Sequence, residues 1–145
     1  MLKYNILFLI REFFMNDNIQ NNTEKTILII DDEEHILKLS VKILSKYGYK
    51  VISSNNTENA LTLYKNNIGQ ISIVILDMFM PGMTWQQTLG KLIDINSKIK
   101  VLLSSGFSEA IEKEETKKYG AFGFLAKPYS ISQLIDIIEK GDSTK

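Results

Sequence analysis

Four short apolar runs in this chain each end on a polar side chain: ILII before Asp31 and Asp32, IVIL before Asp77, VLL before Ser104 and Ser105, and GFLA before Lys127 and Pro128. Runs of this length, rich in Ile, Val and Leu and separated by amphipathic stretches, predict buried strands of a parallel sheet. In such sheets ligands bind at the carboxyl ends of the strands, beside the point where the strand order reverses. The four endings therefore predict one rim carrying three carboxylates, a hydroxyl and an ammonium. That set suits a divalent cation together with a phosphoryl group.

From Thr26 onward the pattern alternates strand and helix. Strands are expected at Thr26–Ile30, Lys50–Ser53, Ile71–Leu76, Ile99–Leu103 and Phe122–Leu125. Helices are expected at Glu33–Tyr47, Thr57–Asn66, Thr84–Ile95, Ser108–Lys118 and Ser130–Glu139. Gly48 is placed to close the first helix in a left-handed cap. Thr84 with Gln87, and Ser130 with Gln133, have the spacing of capping boxes. Five β-α units with right-handed crossovers predict an α/β fold, a doubly wound five-stranded parallel sheet of order 2-1-3-4-5, flavodoxin-like. Its switch point falls between the first and third strands, where Asp31, Asp32 and Asp77 would sit.

Composition narrows the chemistry. The 145 residues fit one domain with a substantial core. Lys+Arg and Asp+Glu stand at 17 each, so no global field favours nucleic acid or an anionic membrane. Arg11 is the sole arginine, which argues against an arginine patch for a nucleic-acid backbone; no nucleic-acid partner is expected. The absence of cysteine removes disulfides, thiol nucleophiles and cysteine-zinc sites, and agrees with a cytoplasmic setting. His35, the only histidine, cannot build a multi-histidine metal site and reads as solvated.

Residues 1–25 differ from the rest. Met1 to Phe14 is apolar, and Asn16 to Glu24 is polar and asparagine-rich. The apolar stretch is short for a transmembrane span, is broken by Arg11 and Glu12, and lacks a signal-peptide cleavage site. A docking helix, a membrane-surface anchor, and an upstream start with Met15 as the natural one all remain open. Residues 26–140 form the expected domain, and 141–145 a short tail.

At the rim, clustered carboxylates repel one another unless a cation sits among them. Adjacent strand-end residues diverge, but the turn into the helix is expected to let at least one of Asp31 and Asp32 reach toward Asp77. The acidic run is also compatible with a solvated helix N-terminus. Asp77 stands at the buried end of a central strand, where a carboxylate is costly unless paired or metal-bound. It fits either a loop cap or a nucleophile of the aspartyl-phosphate kind. Ser105 offers a hydrogen-bond donor to a phosphoryl oxygen, Lys127 a compact cation, and Pro128 a locked turn that admits a cis bond.

The segments ILIIDDEE, VILDMFMPGM, VLLSSG and GFLAKP resemble the motifs of the response-regulator receiver domain of two-component signalling, over Thr26 to about Lys140. The resemblance implies that Asp77 is the phosphoacceptor. It implies that Asp32, Asp77 and the main-chain carbonyl of Phe79 hold Mg²⁺, with Asp31 supporting the site through water. Ser105, directly before Gly106, becomes the switch hydroxyl. Lys127 pairs with the phosphoryl group, and Phe124 is the aromatic that turns inward. The donor is then a histidine kinase or a histidine phosphotransfer protein. A downstream protein target reads the face made by helix four, strand five and helix five. The chain would catalyse only its own Mg²⁺-dependent phosphorylation and dephosphorylation.

Two departures stand out. Where many members have glycine four residues after the proline, this chain has Trp85, which either covers the rim, marks a partner surface or begins the third helix on its apolar side. Phe79 and Phe107 take positions flanking the phosphoryl group, where polar residues often place water; loop packing, or a longer-lived phosphorylated state, accounts for them. The leading expectation is a receiver acting through protein contacts, as a free-standing regulator or a relay shuttle. LLSSGFS and DMFMPGM also resemble receivers of hybrid kinases, so an excised hybrid receiver is a variant. A degenerate receiver used only for binding is a further alternative, opposed by the intact Asp77, Lys127 and acidic pair.

Overall fold

The first strand, TILII, is buried at all five positions because helices cover both faces of the sheet it belongs to. A computed structural model of the chain describes residues 7, 10, 11, 25–106 and 113–143. The elements are β1 (Thr26–Ile30), α1 (Glu34–Lys46), β2 (Lys50–Ser54), α2 (Thr57–Asn66), β3 (Ile71–Asp77), α3 (Trp85–Ile95), β4 (Val101–Ser105), α4 (Lys113–Lys118), β5 (Gly123–Ala126) and α5 (Ile131–Ser143). The strands form one sheet in the order β2-β1-β3-β4-β5, with every pairing parallel. The expected architecture and switch point are both present. Of residues 1–24, only Leu7, Ile10 and Arg11 are described, and they are helical and exposed. The three readings of residues 1–25 otherwise lie outside the described residues, as does the first half of the expected helix Ser108–Lys118.

Side chains of a strand alternate between faces, which splits the apolar residues into two cores. Ile27, Ile29, Ile73, Ile75, Leu102 and Leu125 pack under Ile36, Ile43 and Leu44 of α1 and Leu134 and Ile138 of α5. Leu28, Ile30, Val74, Leu76, Val101 and Leu103 pack under Ala60 and Tyr64 of α2 and Leu89 and Leu92 of α3. Burying one such Leu or Ile side chain stabilises the fold by about 1.5–3 kcal/mol. The sheet is thus held from both sides with its strand ends left at the rim.

Local signals place the helices. Thr84 and Gln87 form a reciprocal capping box that opens α3. Ser130 and Gln133 do the same ahead of α5. Gly48 ends α1 with φ of 89° while the Tyr49 N–H returns to the Leu44 carbonyl, a conformation that costs glycine least. Gly120, at φ 94°, also lies so near Ile93 that a Cβ there would meet its Cδ1 at 2.8 Å. Glu139 of α5 accepts from the buried Tyr49 hydroxyl and pairs with Lys25 at 3.0 Å. That ties the last helix to the far edge of β1 and β2.

The fourth strand is shifted from its expected bounds, Ile99–Leu103. The Ile99 N–H is engaged by the Asn96 carbonyl in the turn after α3. At the other end, Ser104 pairs with Asp77 of β3 and Ser105 with Ala126 of β5. Both serines therefore belong to the sheet and not to the loop beyond it.

Candidate functional site

The carboxyl ends of β1, β3 and β5 bring Asp31, Asp77 and Lys127 together. All three are buried, Asp31 and Asp77 at 1% and 2% exposure. The Lys127 Nζ lies 3.2 Å from Asp31 Oδ2 and 3.6 Å from Asp77 Oδ1. Lys127 starts two residues beyond Leu125 on β5, so its stem points into the same side of the sheet as both aspartates. Its peptide bond to Pro128 is cis. The Lys127 N–H donates to the Ser105 carbonyl, which anchors β5 at this height.

Both members of the acidic pair reach the cluster. Asp31, Asp32 and Asp77 offer carboxylate oxygens within 4.8 Å of one another. The expected turn accounts for this, since Asp31 ends the strand direction while Asp32 already lies in the turn into α1. Asp31 is held in place by its own N–H, which donates to the Ser54 carbonyl of β2, and by its Oδ1, which accepts from the Glu33 N–H. The part played by β2 is made wholly by main chain, which leaves no trace in residue type. Asp77 Oδ1 accepts from the Phe79 N–H at 3.3 Å, fixing the turn after β3.

Three carboxylates against one ammonium leave the rim with an excess of negative charge. Hard divalent cations take such oxygen sets, with Mg²⁺ drawing on a few carboxylates, main-chain carbonyls and water. The donor set here fits that ion. Lys127 neutralises part of the cluster and supplies the point charge that suits phosphate.

Ser105 and Phe124 lie on the other face of the sheet. Leu103 pairs with Phe124, and Ser105 follows Leu103 by two residues on the same side. Phe124 is partly buried against the α2/α3 core and borders a cleft of about 280 Å³ between β5 and α5, with Gln133, Asp136 and Ile137. Trp85 begins α3 on its apolar side: it is 8% exposed, packs in the core, and meets Tyr119 edge-on at 5.1 Å. Phe79 is 44% exposed beside Asp77, while Phe107 lies outside the described residues. His35 is exposed. Among the described residues no helix is long and apolar enough to cross a membrane.

Comparison with known proteins agrees with this geometry. Residues 27–139 match the family of the response regulator receiver domain. The sporulation initiation phosphotransferase F of Bacillus subtilis is 31% identical over 79% of this chain and 90% of its own length. The sensor kinase CckA of Brucella abortus is also 31% identical, over 81% of this chain but 13% of the kinase. Among solved structures, a response regulator receiver domain protein from Clostridium thermocellum superposes with a TM-score of 0.77 at 28% identity, covering 82% of this chain and 94% of that one. The response regulator TrrA from Thermotoga maritima, solved in complex with Mg(2+)-BeF, superposes with a TM-score of 0.71 at 26% identity, covering 81% and 98%. With the sheet order, the rim and these matches in agreement, the chain belongs to the response regulator receiver domain family.

Proposed function

We propose that the chain is the phosphoacceptor of a two-component phosphorelay, taking a phosphoryl group onto Asp77 from the histidine of a kinase or a phosphotransfer protein. The observation that carries this reading is the Lys127 ammonium set between two buried carboxylates, 3.6 Å from Asp77, inside a triad of aspartates. An Asp77 oxygen attacks phosphorus, the phosphorus–nitrogen bond of the donor breaks, and the imidazole leaves as the neutral base after taking up a proton. The product is an acyl phosphate on Asp77. Phosphoryl transfer of this kind is mostly positioning and charge neutralisation.

Asp32, Asp77 and the Phe79 carbonyl are the direct ligands of Mg²⁺ in this reading. Asp31 supports them at one remove, since Lys127 and the Glu33 N–H already engage its two oxygens. The ion, when bound, neutralises the oxygens of the arriving group. Lys127 then turns from the carboxylates to a phosphoryl oxygen. Ser105 moves toward the same group, and Phe124, on the same face, turns into the space left behind. The surface of α4, β5 and α5 changes shape, and a downstream protein reads it. This is a population shift between two packings biased by a local charge change.

The deciding experiment is intact mass after incubation with Mg²⁺ and a small phosphodonor, with Asp77→Asn alongside. The expected result is one phosphoryl increment on the wild type, lost with a chelator and absent from the variant. An unmodified wild type, under conditions that load a control receiver, would move the chain to the class of receivers used only for binding.

A further inference from the structure

Ser104 has no exposed surface, and its hydroxyl is the one buried side-chain polar atom without a hydrogen-bond partner among the described residues. Buried hydroxyls are nearly always satisfied, so one that is not asks for a reason. Its position supplies one. Ile75 and Leu102 pair across β3 and β4 and both face the α1/α5 core; two residues on, Asp77 and Ser104 pair and face the same way. Ser105 faces the opposite side with Leu103.

The lysine has to pass this residue. β4 lies between β5 and β3 in the sheet, with strands about 4.8 Å apart. Lys127 leaves the end of β5, yet its Nζ lies beside Asp77 on β3 and Asp31 on β1. Its stem therefore crosses β4 on the face that carries Ser104. The VLL run that precedes Ser104 shows what the strand otherwise places there, a branched apolar side chain. A serine at the crossing keeps the passage narrow but open and adds one oxygen beside the path of the ammonium.

We propose that Ser104 is a positioning residue for phosphoryl transfer, its hydroxyl accepting a hydrogen bond from the Lys127 ammonium when that group moves from Asp31 to the phosphoryl oxygens on Asp77. The inference rests on the phosphoacceptor reading above. An ammonium has three N–H donors and no preferred plane, so on a flexible stem it needs a second fixed acceptor to hold one place. In the unphosphorylated rim the two aspartates serve. Once Asp77 carries a phosphoryl group its carboxylate charge is gone, and Ser104 becomes the neutral acceptor that keeps Lys127 beside β3.

The test uses the full chain with Ser104→Ala. Calorimetric titration measures affinity first for Mg²⁺ alone and then for beryllofluoride, a phosphoryl mimic, at saturating Mg²⁺; urea unfolding measures stability. Ser104→Ala is expected to keep the Mg²⁺ affinity and to keep or raise the unfolding midpoint, because the lost hydroxyl was buried without a partner in that state. Its affinity for beryllofluoride falls by about tenfold or more, the worth of one hydrogen bond to a charged group. An alanine variant that binds the mimic as the wild type does would overturn the proposal. So would a loss spread over Mg²⁺ affinity and stability, since that marks a packing defect. A wild type that binds Mg²⁺ but no beryllofluoride would remove the phosphoacceptor reading itself, and this inference with it.

Discussion

Replacing Asp77 by asparagine is expected to stabilise the metal-free protein, although it removes a partner of Lys127. The geometry sets the balance. Asp77 lies within 4.8 Å of oxygens on Asp31 and Asp32, and 3.6 Å from the Lys127 ammonium. At an effective dielectric of about 20, each repulsion at that separation is about 3.5 kcal/mol and the attraction about 4.6 kcal/mol. Solvent at the half-buried Asp32 trims its share, leaving a surplus of repulsion of roughly 1–2 kcal/mol. Asparagine retains the Oδ1 that accepts from the Phe79 N–H. In urea with a chelator, the unfolding midpoint should rise by about 0.5–1 M at unchanged slope. Adding Mg²⁺ at about ten times its dissociation constant should stabilise the wild type by about 1.4 kcal/mol and the variant by much less. An asparagine variant whose midpoint lies at or below that of the wild type in chelator would refute the reasoning, because the ammonium would then outweigh the crowding of carboxylates.

Lys127→Met should act with the opposite sign, since it leaves buried carboxylates without the cation between them; a loss of about 3–5 kcal/mol in chelator, partly recovered with Mg²⁺, is read from the same urea curves. Phe79→Asn combined with Phe107→Glu should shorten the lifetime of the phosphorylated state by admitting water, and equal hydrolysis rates by mass spectrometry would leave loop packing as the explanation. Glu139→Ala removes the acceptor of the buried Tyr49 hydroxyl and the partner of Lys25, at a cost of about 1–3 kcal/mol. Tyr49→Phe should cost less, and the two together less than their sum, which a double-mutant cycle in urea measures.

Much of the fold was legible because its signals are local. A run such as ILII has no polar face, so it belongs to a strand covered on both sides, and its helical neighbours announce their ends with Thr84, Ser130 and Gly48. The rim was legible for a related reason: a charge at the end of such a run needs a partner, and Asp31, Asp77 and Lys127 find one another. The bounds of β4 were not legible. Whether Ser104 and Ser105 extend a strand or start a loop depends on the hydrogen bonds offered by β3 and β5, and serine has no preference strong enough to decide it.

Residue order alone thus determined the element sequence, the parallel sheet and the set of side chains that gather at its carboxyl edge, since each follows from burial period and chain connectivity. The tertiary structure decided what the side chains do to one another there. It brought Asp32 into the cluster by a turn, laid the Lys127 stem across β4, and sent Ser105 and Ser104 to opposite faces. It also put Trp85 into the core against Tyr119 rather than over the rim. Those outcomes depend on which strand lies beside which and at what register. A one-residue shift in register reverses the face of every side chain in a strand.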